Sequence, residues 1–79
     1  MTQLLCEIEV TNDNFKWAER IQFYTPTPPV FGDAITLSAM EYGEKVTQKF
    51  LIVERSWGVE DDSVVGIILV CEPIEEHIK

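Results

Sequence analysis

The chain has 79 residues, of which 14 are acidic and 6 basic, so its formal net charge is −8. This charge argues against a protein that binds nucleic acid or an anionic membrane directly, because those surfaces attract clustered lysine and arginine side chains. A chain of this length forms one domain, residues 1–79, whose core is too thin to enclose a large active-site cleft.

The amino terminus predicts a cytoplasmic protein. Residues 1–7 lack the basic segment and long apolar run of a secretory signal peptide. No run of the chain approaches the roughly 18 apolar residues that cross a membrane. Cys6 and Cys71 both lie in apolar runs, where a free cysteine behaves as a small hydrophobic side chain. We expect free thiols, with a disulfide between neighbouring barrel strands as the alternative.

The first predicted strand is Leu4–Val10. Apolar and polar residues alternate along it, as expected for a strand with one face in the core and one in water. The apolar face carries Leu4, Cys6, Ile8 and Val10, and the opposite face carries Leu5, Glu7 and Glu9. The polar residues 11–14 that follow are typical of a turn.

Residues 15–24 fit two structures. The run ends in aromatic and β-branched residues, which favour a strand, and a strand is our prediction. The alternative is a helix capped near residues 12–13, in which Phe15, Ala18 and Ile21 would form a short apolar stripe.

A proline-rich segment, Thr25–Pro29, comes next. Three of its positions lack an N–H donor, so we expect an extended surface connection and not a central strand. Its Pro-x-x-Pro spacing could dock into an aromatic groove of another protein. Its place between two elements favours a rigid crossover instead. Pro29–Asp33, with a Pro-x-x-Gly-Asp pattern, resembles the approach to a strand in many small β-barrels.

Three further strands are predicted. Ala34–Ala39 is short and is followed by a loop, Met40–Glu44, in which Gly43 can adopt a positive φ. Val46–Trp57 and Ser63–Glu72 are long, rich in β-branched and aromatic residues, and joined by the acidic link Gly58–Asp62. This arrangement predicts a β-hairpin that supplies much of the core.

The last predicted strand contains Gly66, which indicates a bulge or a tight bend. Pro73 ends the strand, and residues 74–79 are predicted to be a frayed tail or a short helical turn. Five short strands with tight connections predict an all-β fold, a small five-stranded barrel of the SH3-like or OB-like type. The fold would be a β-rich α+β fold if residues 15–24 are helical.

Candidate catalytic and metal-binding groups are few. The single histidine, His77, lies near the end of the chain, and neither cysteine has a basic neighbour that would favour a thiolate. The chain has no phosphate-binding glycine motif and no Cys-x-x-Cys pair. Glu60–Asp62 lacks the alternating ligands of a calcium loop, so a solvated turn is expected. We expect no catalytic residue, no metal and no cofactor.

Exposed aromatic side chains are the first candidate for a functional surface. A core this small does not have room for every bulky ring, and exposed aromatic residues mark interfaces. Trp57, beside Gly58 at the mouth of the hairpin, is the first choice as an anchor. The whole predicted interface consists of Trp57, Tyr24, Phe31, Trp17 and Tyr42. The alternative is that these rings cap the ends of the barrel.

Acidic residues on the predicted strands are the second candidate. Glu7 and Glu9 lie on one strand face, about 6.7 Å apart along the strand. The predicted acidic face consists of Glu7, Glu9, Glu19, Glu54 and Glu72. Such a lattice of carboxylates would resemble a phosphate backbone, and the alternative is an ordinary solvated surface.

These features predict a non-enzymatic protein–protein interaction module, either a small inhibitor or a self-associating structural protein. The expected partner is another protein or a second copy of this chain in a homo-oligomer. The negative charge of the chain favours a basic partner. The first alternative is an acidic mimic that occupies the basic groove of a nucleic-acid-binding protein. The second is a small enzyme or carrier with a pocket at the barrel mouth.

Overall fold

The computed structural model of the protein describes residues 3–74. In chain order its elements are β1 (Leu4–Val10), a 3-10 helix (Asp13–Arg20), β2 (Gln22–Thr25), β3 (Ala34–Glu41), β4 (Glu44–Glu60) and β5 (Ser63–Pro73). The strands form one sheet in the order β2-β1-β5-β4-β3. β1 and β5 run parallel, and the other three neighbouring pairs are antiparallel.

The sheet curls into a half-barrel, which confirms the predicted small, all-β, barrel-like fold. β2 and β3 are its two edges, and no strand pairing joins them within residues 3–74. The proline-rich segment connects these two edges. At its end, the N–H of Gly32 donates to the carbonyl of Ile52 at 2.9 Å, and the N–H of Ile52 donates to the carbonyl of Asp33 at 2.9 Å. These bonds attach the crossover to the middle of β4.

The inner face of the half-barrel holds the core. The buried side chains alternate along β1, β4 and β5, as one face of each pleated strand requires. The core consists of Cys6 and Ile8 of β1, Phe50 and Ile52 of β4, and Ile67, Leu69 and Cys71 of β5, together with Ala18 of the helix and Leu37 of β3. Phe50 meets two aromatic rings of the 3-10 helix edge to face, Phe15 at 5.8 Å and Trp17 at 6.3 Å between ring centroids. The helix therefore covers the Phe50 end of the inner face.

The predicted strand at residues 15–24 is wrong over its first part. Residues up to Arg20 belong to the 3-10 helix, and only Gln22–Thr25 is extended. Asn12 caps the helix, with its side-chain oxygen accepting a hydrogen bond from the N–H of Asn14 at 2.9 Å. The helix is favoured over an extended strand because it places the Ala18 side chain in the core. The aromatic and β-branched residues at the end of this run do form a strand, β2, but the predicted strand began too early in the chain.

The two hairpin turns are tighter than predicted. β4 continues to Glu60, so Gly58 lies inside the strand, and the turn consists of Asp61 and Asp62 with φ of 49° and 65°. Tyr42 and Gly43 form the β3–β4 turn with φ of 50° and 81°. Two successive residues with positive φ match the right-handed twist of the flanking strands. Both hairpins are therefore closed by two-residue turns.

Gly66 lies next to a bulge, as its position predicted. The register shifts between Gly58 and Val59, which leaves Val65 without a partner on β4. A Cβ atom on Gly66 would lie 2.8 Å from the backbone oxygen of Leu5, so the close approach of β1 requires glycine here.

The start of the predicted tail is hydrogen-bonded to β4. The N–H of Ile74 donates to the carbonyl of Lys49 at 2.9 Å, and the Ile74 carbonyl accepts from the Gln48 amide at 3.0 Å. Ile74 is therefore fixed to β4. The remaining residues of the predicted tail, 75–79, lie outside the described residues.

Cys6 and Cys71 are free and buried, as expected. They lie on adjacent parallel strands, but Cys71 is opposite Val10, four residues beyond Cys6. Four residues of a strand span about 13 Å, and a disulfide needs Cα atoms less than about 7 Å apart. The alternative of a Cys6–Cys71 disulfide is therefore wrong.

Candidate functional site

The end of the β4–β5 hairpin lies outside the rest of the sheet. β1 pairs with β5 only from Ile67 onward, and β3 pairs with β4 only up to Leu51. Residues 57–66 are therefore a two-stranded ribbon, which we call the arm. An isolated two-stranded ribbon has little stability of its own, so the arm depends on the sheet at its base. Beyond Gly66, which Leu5 of β1 approaches closely, the backbone edges of the arm have no pairing strand within residues 3–74.

Three apolar side chains follow one another on one face of the arm. Trp57 is opposite the buried Ile67 and therefore shares the inner face of the sheet, and Val59 lies two residues further along, opposite Val64. The exposed fractions are 52% for Trp57, 63% for Val59 and 52% for Val64. The core face of the sheet thus continues outward as an uncovered apolar surface, which we call the arm face.

Arg55 supports the base of the arm face. It is opposite Leu69, and its guanidinium carbon lies 5.0 Å from the centroid of the Trp57 ring. A cation stacked on an indole contributes about 0.5–1 kcal/mol at an exposed site. The Nε of Arg55 is buried without a hydrogen-bond partner. Arg55 therefore restricts the orientation of the Trp57 ring.

The other predicted aromatic residues do not join Trp57. Tyr42 lies at the opposite end of β4, in the β3–β4 turn, and is fully exposed. Tyr24 is exposed on β2, and Phe31 is exposed in the turn before β3. Trp17 packs against Phe50 in the core. Val59 and Val64 were not among the predicted residues, because their exposure depends on where β1 and β3 stop pairing and not on a local pattern.

Four of the five predicted acidic residues share the outer face of the sheet. Glu9 on β1 and Glu54 on β4 are both partners of Val70 on β5, so their Cα atoms are about 10 Å apart. Glu7 and Glu72 lie two residues along their strands from this row. We call these four carboxylates the acidic face.

Basic charge borders the acidic face, and one of the predicted acidic residues lies outside it. Lys49 lies two residues from Leu51, the partner of Glu72, so basic charge borders the cluster on one side. Glu19 is elsewhere: its carboxylate accepts hydrogen bonds from the Val10 N–H at 2.9 Å and from Lys16 at 3.2 Å. The bond from Val10 is the main reason that the pKa of Glu19 is lowered. Glu19 attaches the helix to β1 and is not part of the face.

The described residues offer little chemistry for catalysis. Burial raises the pKa of the Cys71 thiol to about 11, and burial also raises the pKa of Cys6, with Arg55 opposing the rise. A nucleophilic cysteine needs the opposite shift. Residues 3–74 contain no group of three histidine, cysteine, aspartate or glutamate side chains placed to hold a metal ion.

The fold and the arm define a small, all-β, barrel-like protein with an uncovered apolar ribbon. Comparison of the chain with protein-family models, with curated proteins and with solved structures gives no match. Within residues 3–74, no helix has the length and apolar character needed to cross a membrane.

Proposed function

We propose that this protein is a non-enzymatic interaction module that docks onto a protein partner through the arm face. The observation that carries the proposal is the row of Trp57, Val59 and Val64, each more than half exposed on one face of a ribbon. Contiguous exposed apolar side chains are costly in water, and they mark interaction surfaces in soluble proteins. Tryptophan is also the residue most enriched among the energetic centres of interfaces.

The charge around the arm face indicates the partner's character. Glu60, Asp61 and Asp62 form the tip, and within residues 57–66 there is no lysine or arginine. An apolar centre with an acidic rim fits a partner with an apolar centre and a basic rim. The chain's net charge of −8 would also attract such a partner and oppose self-association.

The test compares three forms of the full chain as immobilised bait in lysate of the source cell. They are the wild type, Trp57→Ser and Tyr42→Ser, the last being the control because Tyr42 is exposed at the far end of β4. We expect one protein to be retained through high salt by wild type and Tyr42→Ser and to be lost with Trp57→Ser. Equal retention by all three forms would contradict docking through the arm face.

The acidic face supports a second candidate function, the acidic mimic. Glu7, Glu9, Glu54 and Glu72 surround Val70 on the outer face, opposite to the arm face. A mimic would release its nucleic-acid-binding partner steeply as salt rises, because screening weakens exposed charge pairs. Retention that depends on Glu9 and Glu54, falls steeply with salt and ignores Trp57 would favour this candidate.

Two further properties belong to the proposal. The cytoplasm is the proposed compartment, and the two buried free thiols, Cys6 and Cys71, are compatible with a reducing environment. A homo-oligomer built on the arm face is the alternative occupant, and sedimentation equilibrium of wild type and Trp57→Ser distinguishes it. An oligomer that Trp57→Ser dissociates would replace the heterologous partner with a second copy.

A further inference from the structure

A groove lies on the outer face of the arm, on the side of the ribbon away from Trp57. Its volume is about 330 Å³, near the lower limit for pockets that hold small ligands. Two glycines, Gly58 and Gly66, face each other across the strands and form its floor. The other lining residues are Leu5, Glu7, Glu60, Val65, Ile67 and Ile68.

Only one of the two floor glycines is required by the fold. A Cβ on Gly66 would collide with the backbone of Leu5 at 2.8 Å. A Cβ on Gly58 would have its nearest contacts at 3.5 Å, which is ordinary packing, and its φ is not positive. Glycine weakens the middle of a strand because it has no side chain to pack and loses more entropy on folding. The effect of glycine at position 58 is to keep the groove open.

The groove combines apolar walls with acidic charge at its rim. Leu5, Val65 and Ile68 supply apolar contacts, and Glu7 and Glu60 supply carboxylates. Neither carboxylate forms an ion pair with any residue of the described range 3–74. Lysine and arginine side chains match this arrangement, because their methylene stems pack on apolar surface while the charged end meets a carboxylate.

We propose that this groove receives one lysine or arginine side chain of the protein partner. The inference rests on the proposed function, because it describes how a basic partner engages the second face of the same arm. The arm face would supply apolar contact, and the groove would select a partner with a basic residue at a fixed distance from the apolar centre. The arm would then lie in a cleft of the partner, with both of its faces in contact.

The test measures the groove without the partner. The ¹⁵N-labelled full chain is titrated with N-acetyl-arginine amide and N-acetyl-lysine amide, and with N-acetyl-norleucine amide as the uncharged control. We expect saturable amide shifts at Leu5, Gly58 and Gly66 with the two cationic probes, and binding about tenfold weaker for norleucine. Equal shifts from all probes, shifts located elsewhere, or no shifts at the solubility limit would overturn the proposal.

Two variants assign the binding to the groove. Gly58→Val fills the groove and should remove the shifts, whereas Val30→Thr, at an exposed position outside the arm and the groove, should leave them unchanged. The double variant Glu7→Gln, Glu60→Gln keeps the backbone unchanged and should weaken both cationic probes about tenfold, so the proposal can be judged even if Gly58→Val unfolds. Full binding by the double variant would contradict it.

The two proposals fail in different ways. If the arm face is the wrong surface, Trp57→Ser retains the partner while the cationic probes still bind the groove. If the groove inference is wrong, the probes produce no localised shifts while Trp57→Ser still loses the partner.

Discussion

The half-barrel and the arm use the same kinds of side chain for opposite purposes. In the half-barrel, Phe50 and Leu69 are fully buried under the 3-10 helix and neighbouring strands. In the arm, Trp57, Val59 and Val64 continue the same faces of the same two strands, yet each is more than half exposed. The arm lacks only the third strand and the helix that would cover it.

This difference shows where stability and recognition are located. Burying apolar area contributes about 25 cal/mol per Å², so covered residues hold the fold together. An exposed apolar side chain can contribute the same free energy only when a binding partner covers it. The half-barrel therefore carries the folding free energy, and the arm keeps apolar area available for binding. The predictions below test this division, from the largest expected effect to the smallest.

Removing the central ring of the core should have the largest effect. Phe50→Ala deletes a fully buried side chain and its contacts with Phe15 and Trp17. We expect a loss of about 3–5 kcal/mol in the free energy of unfolding, measured by urea denaturation. Tyr42→Ala, at a fully exposed turn position, should change it by less than about 0.5 kcal/mol. A small effect of Phe50→Ala would contradict the division between half-barrel and arm.

The two glycines that face each other should respond differently to alanine. Gly66→Ala forces a Cβ against the backbone of Leu5 and should cost about 1–3 kcal/mol. Gly58→Ala places its Cβ at ordinary contact distances, so we expect a change of less than about 0.5 kcal/mol. Thermal unfolding of the two variants side by side measures the difference. Equal destabilisation would show that the fold requires glycine at position 58 as well.

Alkaline pH should destabilise the half-barrel through Cys71. Burial raises the pKa of this thiol from its ordinary value of 9.0 to about 11. The folded state therefore holds the proton more tightly than the unfolded chain. This contribution is complete below pH 9 and is lost as the pH rises to about 11, on the order of 3 kcal/mol.

The measurement is urea denaturation of wild type and Cys71→Ala across this pH range. The difference between the two stability curves isolates the contribution of Cys71, because the other titratable groups are common to both proteins. Parallel curves would show that the Cys71 thiol is not sealed from water.

Changing the arm face should affect stability less than changing the core. Trp57→Ser removes a half-exposed ring and its contact with Arg55, so the free energy of unfolding should fall by about 1 kcal/mol or less. Far larger destabilisation would mean that Trp57 is part of the core.

Amide hydrogen exchange compares the two regions directly. The amides of residues 59–65 should exchange faster than those around Ile52 and Leu69, because the arm can open without the sheet.

The sequence by itself determined the fold class, four of the five strands and the buried face of β1. Alternation along Leu4–Val10 and the apolar density of residues 46–57 and 63–72 were sufficient, because period-two patterns report directly on burial in a pleated strand. It also identified Trp57 as the first candidate anchor and four of the acidic residues that share one face. These features depend on local pattern and on parity within a strand.

Only the tertiary structure decided the helix, the arm and the groove. Residues 15–20 were predicted to be a strand, with a helix as the alternative, and the helix is decided by the packing of Phe15 and Trp17 against Phe50 and by the burial of Ala18. Nothing local distinguishes Val59 from Ile52, since their exposure depends on where β1 and β3 stop pairing with their neighbours. The groove arises because Gly58 faces Gly66 across two strands, a register that is set by long-range pairing. Exposure is a property of the surrounding chain, and for that reason the sequence pattern alone could not assign it.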